Sequence, residues 1–157
     1  MPNHCMNSID IYGPKEDLDI FWNGLKRFKG DDIGEISILR SFIPMPEELL
    51  DTEAFKDNNN WYQWALDNWG SKWGDYDCDL NYVDTISGYY SSAWGPCNEG
   101  ILNVSKLFPT LTFKVKYHEA GMGFMGFQKC INGEEIEIWC RDMTQDELQE
   151  LYDYDEE

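Results

Sequence analysis

The most constraining feature of this sequence is a strictly alternating segment at residues 110–118. Its odd-numbered side chains, from Leu111 to Tyr117, are apolar, and its even-numbered ones, from Thr112 to His118, are polar. Because successive side chains of a strand point to opposite faces, this pattern predicts a strand with one buried and one polar face. The apolar face needs helices packed against it. The segment therefore indicates a sheet that helices cover on one side.

Two segments have the period of amphipathic helices. Lys15–Lys29 begins directly after Gly13-Pro14. Glu16 and Asp17 lie in its first turn, and its last turn contains Lys26, Arg27 and Lys29, as the helix dipole favours. Gly30 follows as a C-terminal cap. The second helix is predicted at Asn98–Phe108, where Pro109 ends it.

Four further segments have the composition of strands. They are Met6–Tyr12, Glu35–Ile43, Tyr76–Val83 and Ile86–Ala93. Residues 44–74 are predicted to be an insertion with a short helix around Trp61–Trp69, ended by Gly70. The order of elements predicts an α+β fold, the ferredoxin-like split βαβ sandwich, in which two helices cover one face of an antiparallel sheet.

The last part of the chain, residues 124–157, predicts a hairpin and a short acidic helix. Asn132-Gly133 is a strong hairpin-turn signal between the two strands. These strands are Phe124–Ile131 and Glu134–Arg141. The residues Thr144-Gln145-Asp146-Glu147 have the form of a capping box and start the helix. No repeat or linker is visible, so residues 1–157 are predicted to form a single domain.

Charge decides which partners are excluded. The chain has 30 acidic residues against 12 Lys and Arg, and its formal net charge is −18. Such a charge repels nucleic acid phosphates and anionic membranes and attracts basic partners. We therefore expect no direct binding of nucleic acid or membrane. The charge is uneven, because residues 85–133 contain two acids and four lysines.

The cysteines and the apolar segments indicate the compartment. The five cysteines are scattered and form no CxxC motif, so free thiols in a reducing cytoplasm are expected. No signal-peptide pattern is visible, and no apolar run reaches the length of a membrane span.

Six short motifs occur along the chain in a recognisable order. They are Met1-Pro2-Asn3-His4-Cys5-Met6-Asn7, Gly13-Pro14, Ile43-Pro44-Met45-Pro46-Glu47-Glu48-Leu49-Leu50, Asn68-Trp69-Gly70-Ser71-Lys72-Trp73, Ser92-Ala93-Trp94-Gly95-Pro96 and Tyr117-His118-Glu119-Ala120-Gly121. In these motifs, which span roughly residues 1–127, the chain resembles the YubB-type ferredoxin-like domain family. It departs from that family at His4, where an aromatic such as tryptophan is usual, and at Cys97, where a second proline is frequent. The resemblance implies the fold and a phage or plasmid origin in a bacterial host. It implies no catalytic residues, because the family has no settled activity.

Asp75, Asp77 and Asp79 form the most suggestive acidic motif. A calcium-binding loop has this spacing but also needs a glycine and a glutamate further on, which this chain lacks. If the segment is extended, the three carboxylates lie on one face about 6.6 Å apart, close to the spacing of phosphates along a nucleic acid strand. The alternatives are a phosphate-mimicking row and a solvated face. Asp84 is included among the candidate partner-binding residues.

The C-terminal residues 134–157 form a second acidic cluster, with eleven acids and the single base Arg141. Like charges at helical spacing destabilise a helix slightly, so their presence indicates a role in solubility or in binding a basic partner. Glu147, Glu150 and Asp153 are the candidate partner-binding residues of this helix.

Aromatic residues are concentrated in residues 61–94, which contain ten of them. Trp69, Trp73 and Trp94 are the candidates for a ligand pocket or an interface anchor. The alternative is structural, with Trp64 and Trp69 filling the core beneath the insertion.

Residues that could support catalysis are scarce. The chain has two histidines, His4 and His118, which is too few to predict a nucleophile with its base. Cys97 precedes a predicted helix, whose dipole could lower its thiol pKa, although a plain buried cysteine is favoured. The glycine-rich stretch 121–126 lacks the Lys-Ser/Thr of a phosphate-binding loop. We predict no catalytic residue, no metal and no cofactor.

Together these observations lead to two hypotheses of different classes. The first is a non-enzymatic accessory protein of a phage or plasmid that inhibits a host defence protein, acting as a nucleic acid mimic on its basic, nucleic-acid-binding surface. The alternative is a small-molecule or nucleotide-binding module, or a weak hydrolase, that uses the aromatic insertion. A homo-oligomer formed through the sheet edge or the open sheet face remains open.

Overall fold

The structure, a computed structural model, describes residues 3–28 and 35–155. Over these residues it contains one antiparallel sheet of eight strands and five α-helices. The strands are β1 (His4–Tyr12), β2 (Lys26–Phe28), β3 (Glu35–Ser37), β4 (Tyr76–Tyr82), β5 (Ile86–Ala93), β6 (Thr112–Glu119), β7 (Phe124–Ile131) and β8 (Glu134–Asp142). The helices are α1 (Lys15–Gly24), α2 (Ile38–Phe42), α3 (Trp61–Trp69), α4 (Asn98–Leu107) and α5 (Gln145–Asp155).

The strand order identifies the fold. The sheet runs β2-β3-β4-β5-β1-β6-β7-β8, and its centre, β4-β5-β1-β6, has the order of the split βαβ motif with α1 and α4 as its helices. The predicted ferredoxin-like α+β fold is therefore confirmed. Two strands extend the sheet beyond each side of this motif.

The core lies between the sheet and these two helices. The odd-numbered side chains of β6, such as Phe113 and Val115, are buried against Leu18 and Phe21 of α1, as the alternating pattern predicts. The even-numbered side chains of β1 and β6, together with their neighbours on β5, β7 and β8, form the opposite side, which we call the open face.

The first helix is shorter than predicted. Instead of reaching Lys29, α1 ends at Gly24, and the basic residues that follow begin β2. Gly24 lies against the ring of Phe42, where an added Cβ would be 2.8 Å from a ring carbon. The Lys26 backbone N–H donates to Ser41 Oγ, which holds the chain in its new direction. The predicted cap at Gly30 lies outside the described residues.

The predicted strand Glu35–Ile43 is also wrong, because only its first three residues are extended and α2 follows. Ser37 is the N-cap of this helix, and its hydroxyl accepts the Arg40 backbone N–H. The first two backbone N–H groups of the helix, those of Ile38 and Leu39, donate to the carboxylate of Asp75, which is distant in sequence. This long-range cap starts a helix where the local pattern favours a strand.

The insertion contains the predicted helix, α3. Asn60 caps its start by accepting the Gln63 N–H, and Gly70 ends it in the left-handed conformation with φ of 82°. Trp69 at its end is buried, and its indole N–H donates to the Ile43 carbonyl. This indole therefore packs in the core beneath the insertion.

The C-terminal hairpin and helix begin as predicted. Asn132 and Gly133 both have positive φ, as the tight turn between β7 and β8 requires. Thr144 and Glu147 make the reciprocal hydrogen bonds of a capping box at the start of α5. None of the helices in the described part of the chain is long and apolar enough to cross a membrane.

Candidate binding surfaces

Asp75 is placed in the interior of the protein. Its carboxylate is 1% exposed and accepts three hydrogen bonds, from the Ser37 hydroxyl at 2.7 Å and from the N–H groups of Ile38 at 2.7 Å and Leu39 at 3.0 Å. A carboxylate engaged in this way is not available to a partner. The expectation that Asp75 belongs to an exposed row is therefore wrong, and its role is to cap α2.

The remaining acids of this segment do not form a row either. A bulge interrupts the pairing of β4 with β5, and Asp77 within it has a left-handed backbone with φ of 50°. Asp79 lies beyond the bulge opposite Tyr89 on the open face, and Asp84 lies in the β4–β5 turn. The even 6.6 Å spacing needs a regular strand, which the bulge prevents. Asp77, Asp79 and Asp84 are nevertheless exposed.

The second acidic cluster lies on β8 and α5, residues 134–155, which we call the C-terminal arm. Strand β8 is exposed along its whole length and forms one edge of the sheet. Its apolar side chains are exposed as well, with Ile136 at 51% and Ile138 at 49%. Glu150 and Asp153 of α5 are also exposed. The arm thus combines exposed carboxylates with exposed apolar groups.

Glu147 differs from the other acids of the arm because it is paired. The guanidinium of Arg141 donates to both of its carboxylate oxygens, at 2.8 and 2.9 Å, and the Thr144 backbone N–H donates at 2.9 Å. The hydrogen bonds from Arg141, followed by those from Thr144, lower the pKa of Glu147 from 4.5 to about 2. Glu147 therefore joins α5 to β8, and Glu150 and Asp153 are the candidate residues on this helix that remain free of an ion pair among the described residues.

The two acidic clusters do not meet. Five strand intervals of about 4.8 Å put β4 and β8 about 24 Å apart. Between them the open face holds Lys114, Lys116 and Lys129, with Lys114 directly opposite Lys129 on one side and Asp10 of β1 on the other. The polarised charge of the sequence is thus polarised in space, with acids at both sides of a basic strip.

The open face also contains a shallow groove of about 380 Å³. Exposed aromatic side chains stand at its two sides, Tyr89 from β5 and Trp139 from β8. Trp139 stacks on Phe127 at a centroid distance of 6.4 Å, and Lys116 lines the groove between the two sides. The groove spans five neighbouring strands, from β5 to β8.

A larger cavity, of about 440 Å³, lies beside the insertion, and we call it the insertion cavity. It is lined by Phe28, Arg40, Pro44, Met45, Leu50, Trp61, Trp69, Lys72 and Trp73. Two of the three predicted pocket residues, Trp69 and Trp73, thus line one cavity. Trp94 does not, because it lies on a neighbouring concave surface with Gly70 and Ala93, which shares Lys72 with the cavity. The sequence prediction of one pocket from all three indoles is wrong in that respect.

The cations of the insertion cavity, Arg40 and Lys72, were missed by the sequence analysis. The Arg40 guanidinium lies 5.3 Å from the ring centroid of Trp69, and the Lys72 ammonium lies 4.2 Å from that of Trp73. The sequence pattern predicts Arg40 to lie in a strand, which gives its side chain a different direction from the one it has in α2. The available signal was the position of Lys72 between two tryptophans in a chain poor in bases.

The candidate nucleophile Cys97 is fully buried. Burial, with a smaller contribution from the Asp75 carboxylate, raises the pKa of its thiol well above the usual value of 9.0. The thiolate needed for nucleophilic attack is therefore disfavoured. His4 is exposed and hydrogen-bonds to Tyr76 on the open face, whereas Cys97 is buried in the core. Among the described residues, no three His, Cys, Asp or Glu side chains are grouped to hold a metal ion.

Comparison with known proteins agrees with this architecture. A family model described as a ferredoxin-like domain in Api92-like protein matches residues 68–157, more than half of the chain. The chain belongs to this family. The crystal structure of a protein Api92 from Yersinia pseudotuberculosis is similar, with a TM-score of 0.65 and 9% identity over 92% of this chain and 99% of that chain. At that identity the likeness shows the fold alone. No curated protein matches the sequence.

The Api92-like region has a definite relation to the candidate surfaces. It runs from the end of α3 to the end of the chain, so it contains the whole C-terminal arm. It also contains Trp69, Lys72 and Trp73, whereas Arg40 lies before it. The family description states a fold and no activity.

Proposed function

We propose that this chain is a non-enzymatic accessory protein of a phage or plasmid that acts in the bacterial cytoplasm. In this proposal it inhibits a host defence protein by occupying a basic, nucleic-acid-binding surface. The C-terminal arm is the contact region, and Glu137, Glu150 and Asp153 are the carboxylates that take the place of phosphates. The exposed Asp77, Asp79 and Asp84 form a second, smaller contact on and after β4, five strands away from β8.

The observation that carries the proposal is the mixed character of the arm. Solubility alone accounts for exposed carboxylates, but it gives no reason for Ile136 and Ile138 to be half exposed among them. Ile138, opposite Gln128, faces the helix side of the sheet, whereas Glu137, opposite Lys129, faces the open face, so the edge strand presents apolar and acidic groups on its two faces. Exposed apolar groups beside charged ones are typical of protein interfaces. The carboxylates would steer a basic partner to the arm, and the apolar groups would hold it there.

The edge of the sheet supports the same conclusion. In the described part of the chain, β8 pairs with β7 on one side and with no strand on the other. Natural sheets usually protect such an edge, because its free N–H and C=O groups invite another strand. An acidic edge discourages self-pairing while leaving the strand open to a basic partner.

Affinity purification from a bacterial lysate, at low and at high salt, tests the proposal. The arm variant is Glu137→Gln/Glu150→Gln/Asp153→Asn. The control variant, Glu47→Gln/Glu48→Gln/Asp51→Asn, removes the same number of exposed acids from the insertion. We expect the unmodified chain and the control to recover a nucleic-acid-binding protein at low salt, and the arm variant to lose it. Recovery that is equal for all three chains would contradict the role of the arm.

A second copy of the chain is the competing occupant of the β8 edge. Light scattering on the purified chain distinguishes the two occupants. A monomer across the salt range leaves the edge free for a different protein. A dimer that Ile138→Glu dissociates, at unchanged stability, would mean that the edge serves self-association instead.

A further inference from the structure

The insertion cavity has the form of a small-molecule site. Its volume of about 440 Å³ lies within the usual range of about 300 to 1,000 Å³ for such sites. Its lining is mostly apolar and aromatic, with Arg40 and Lys72 as the two charged groups. Trp61 and Trp73 are partly exposed, so both rings are accessible from the cavity.

The two cations of the cavity are held by neutral groups. Arg40 donates to the backbone carbonyls of Trp73, at 2.8 Å, and Asp75, at 3.3 Å, and its guanidinium lies over the Trp69 ring. Lys72 lies over the Trp73 ring. Neither makes an ion pair with a described residue, although the chain has 30 acids for 12 bases. No carboxylate lines the cavity among the described residues.

This arrangement selects a chemical class of ligand. A guanidinium has five N–H donors, and carbonyls accept two from Arg40, so further donors remain for an anion. A flat ring can pack on the partly exposed indoles of Trp61 and Trp73. A ligand with only one of these features would leave the other half of the site unused.

We propose that the insertion cavity binds a small molecule that combines a flat ring with an anionic group. Nucleoside monophosphates and aromatic carboxylates share this chemistry. The ring packs on Trp61 and Trp73, and Arg40 and Lys72 bind the anionic group. This function is separate from partner binding, because the cavity lies at the insertion and the C-terminal arm on β8 and α5.

Isothermal titration calorimetry on the full chain tests the proposal with defined probes. The first set of probes is AMP, GMP, CMP and UMP, and the second probe is indole-3-acetate. The matched nucleosides and inorganic phosphate each lack one half of the ligand chemistry. We expect the nucleoside monophosphates, indole-3-acetate or both to bind at concentrations up to about 1 mM, and the incomplete compounds to bind at least about tenfold more weakly. The probe that binds shows whether the anionic group of the ligand is a phosphate or a carboxylate.

Two pairs of variants locate the binding. Lys72→Gln and Trp73→Leu are expected to weaken it about tenfold each. Their controls are Lys116→Gln, an exposed lysine of the open face, and Trp94→Leu, an exposed tryptophan outside the cavity, and both are expected to leave it unchanged. Thermal unfolding verifies that all four variants fold.

Three results would overturn the proposal. They are the absence of binding by all probes, nucleosides that bind as tightly as their phosphates, and binding that Lys116→Gln weakens while Lys72→Gln does not. The arm variant serves as a further control, because it should keep the ligand while it loses the protein partner. The two proposals can therefore fail separately.

Discussion

Asp75 shows how one side chain can be reassigned by its contacts. In the sequence it is the first member of an acidic motif, and in the structure it is a buried acceptor for three donors of the β3–α2 junction. Any test of the acidic motif that neutralises Asp75 therefore also perturbs the fold. Asp77 and Asp79 can be neutralised without this complication, because both are exposed.

The first prediction compares two neutralised aspartates. Asp75→Asn is expected to lower the free energy of unfolding by about 1 to 3 kcal/mol, because an amide accepts fewer and weaker hydrogen bonds than a buried carboxylate. Asp79→Asn is expected to change it by less than about 0.5 kcal/mol, as is usual at exposed positions. Chemical denaturation measures both. Equal effects would show that Asp75 is not the cap of α2.

The second prediction concerns Glu147. Its pKa in the folded protein, about 2, is below the ordinary 4.5, so its contribution to stability is present above pH 4.5 and is lost as the pH falls from 4.5 towards 2. Arg141→Gln should raise the pKa of Glu147 and weaken α5 at neutral pH. Carboxyl-carbon NMR follows the titration, and amide exchange follows the helix. An unchanged titration midpoint in Arg141→Gln would contradict the assigned ion pair.

At the scale of elements, local signals predicted the structure well and long-range contacts did not enter the prediction. The alternation at residues 110–118 and the turn at Asn132-Gly133 depend on neighbouring residues, and both were predicted correctly. The end of α1 and the start of α2 depend on Phe42 against Gly24 and on Asp75, which are 18 or more positions away. The segment Glu35–Ile43 was misassigned for this reason.

The same distinction applies to the candidate surfaces. Aromatic density predicted Trp69 and Trp73 as pocket candidates, and these two line one cavity. Aromatic density alone could not show that Trp94 lies on a different surface, because that position depends on the β4–β5 hairpin that precedes it. Arg40 could not be placed, because its direction follows from the helix that Asp75 caps.

The third prediction tests the packing of α4 on α2 and on the end of α3. A Cβ on Gly100 would lie 2.7 and 2.8 Å from the two methyl groups of buried Leu39, and 3.1 Å from the Trp69 carbonyl oxygen. Gly100→Ala should therefore lower the free energy of unfolding by about 1 kcal/mol or more, although helix propensity alone favours alanine by about 1 kcal/mol. In a Leu39→Ala background the same change should be less costly or stabilising. Stabilisation by Gly100→Ala alone would contradict this packing.

At the scale of the whole molecule, the −18 charge is distributed in a way that matters for binding. The basic strip of the open face separates two acidic regions about 24 Å apart. A single continuous acidic face is therefore ruled out for the two clusters predicted from the sequence. In the function proposed above, the C-terminal arm therefore provides most of the contact, with Asp77, Asp79 and Asp84 as a secondary site.

This arrangement predicts the salt dependence of binding. An interaction steered by exposed carboxylates weakens as salt screens them, whereas the part held by Ile136 and Ile138 does not. Neutralising the arm should therefore reduce both the affinity and its dependence on salt. Neutralising the insertion acids Glu47, Glu48 and Asp51 should change neither by more than a small factor.

The most direct test of the proposed nucleic acid mimicry is competition with nucleic acid for the partner protein. A labelled oligonucleotide is bound to the protein that the chain recovers from the host, and its release is measured by fluorescence anisotropy as the chain is added at low salt. We expect the unmodified chain and the Glu47→Gln/Glu48→Gln/Asp51→Asn control to release the oligonucleotide, and the Glu137→Gln/Glu150→Gln/Asp153→Asn variant to need at least about tenfold more protein. A ternary complex that retains the oligonucleotide, or equal release by all three chains, would contradict the account.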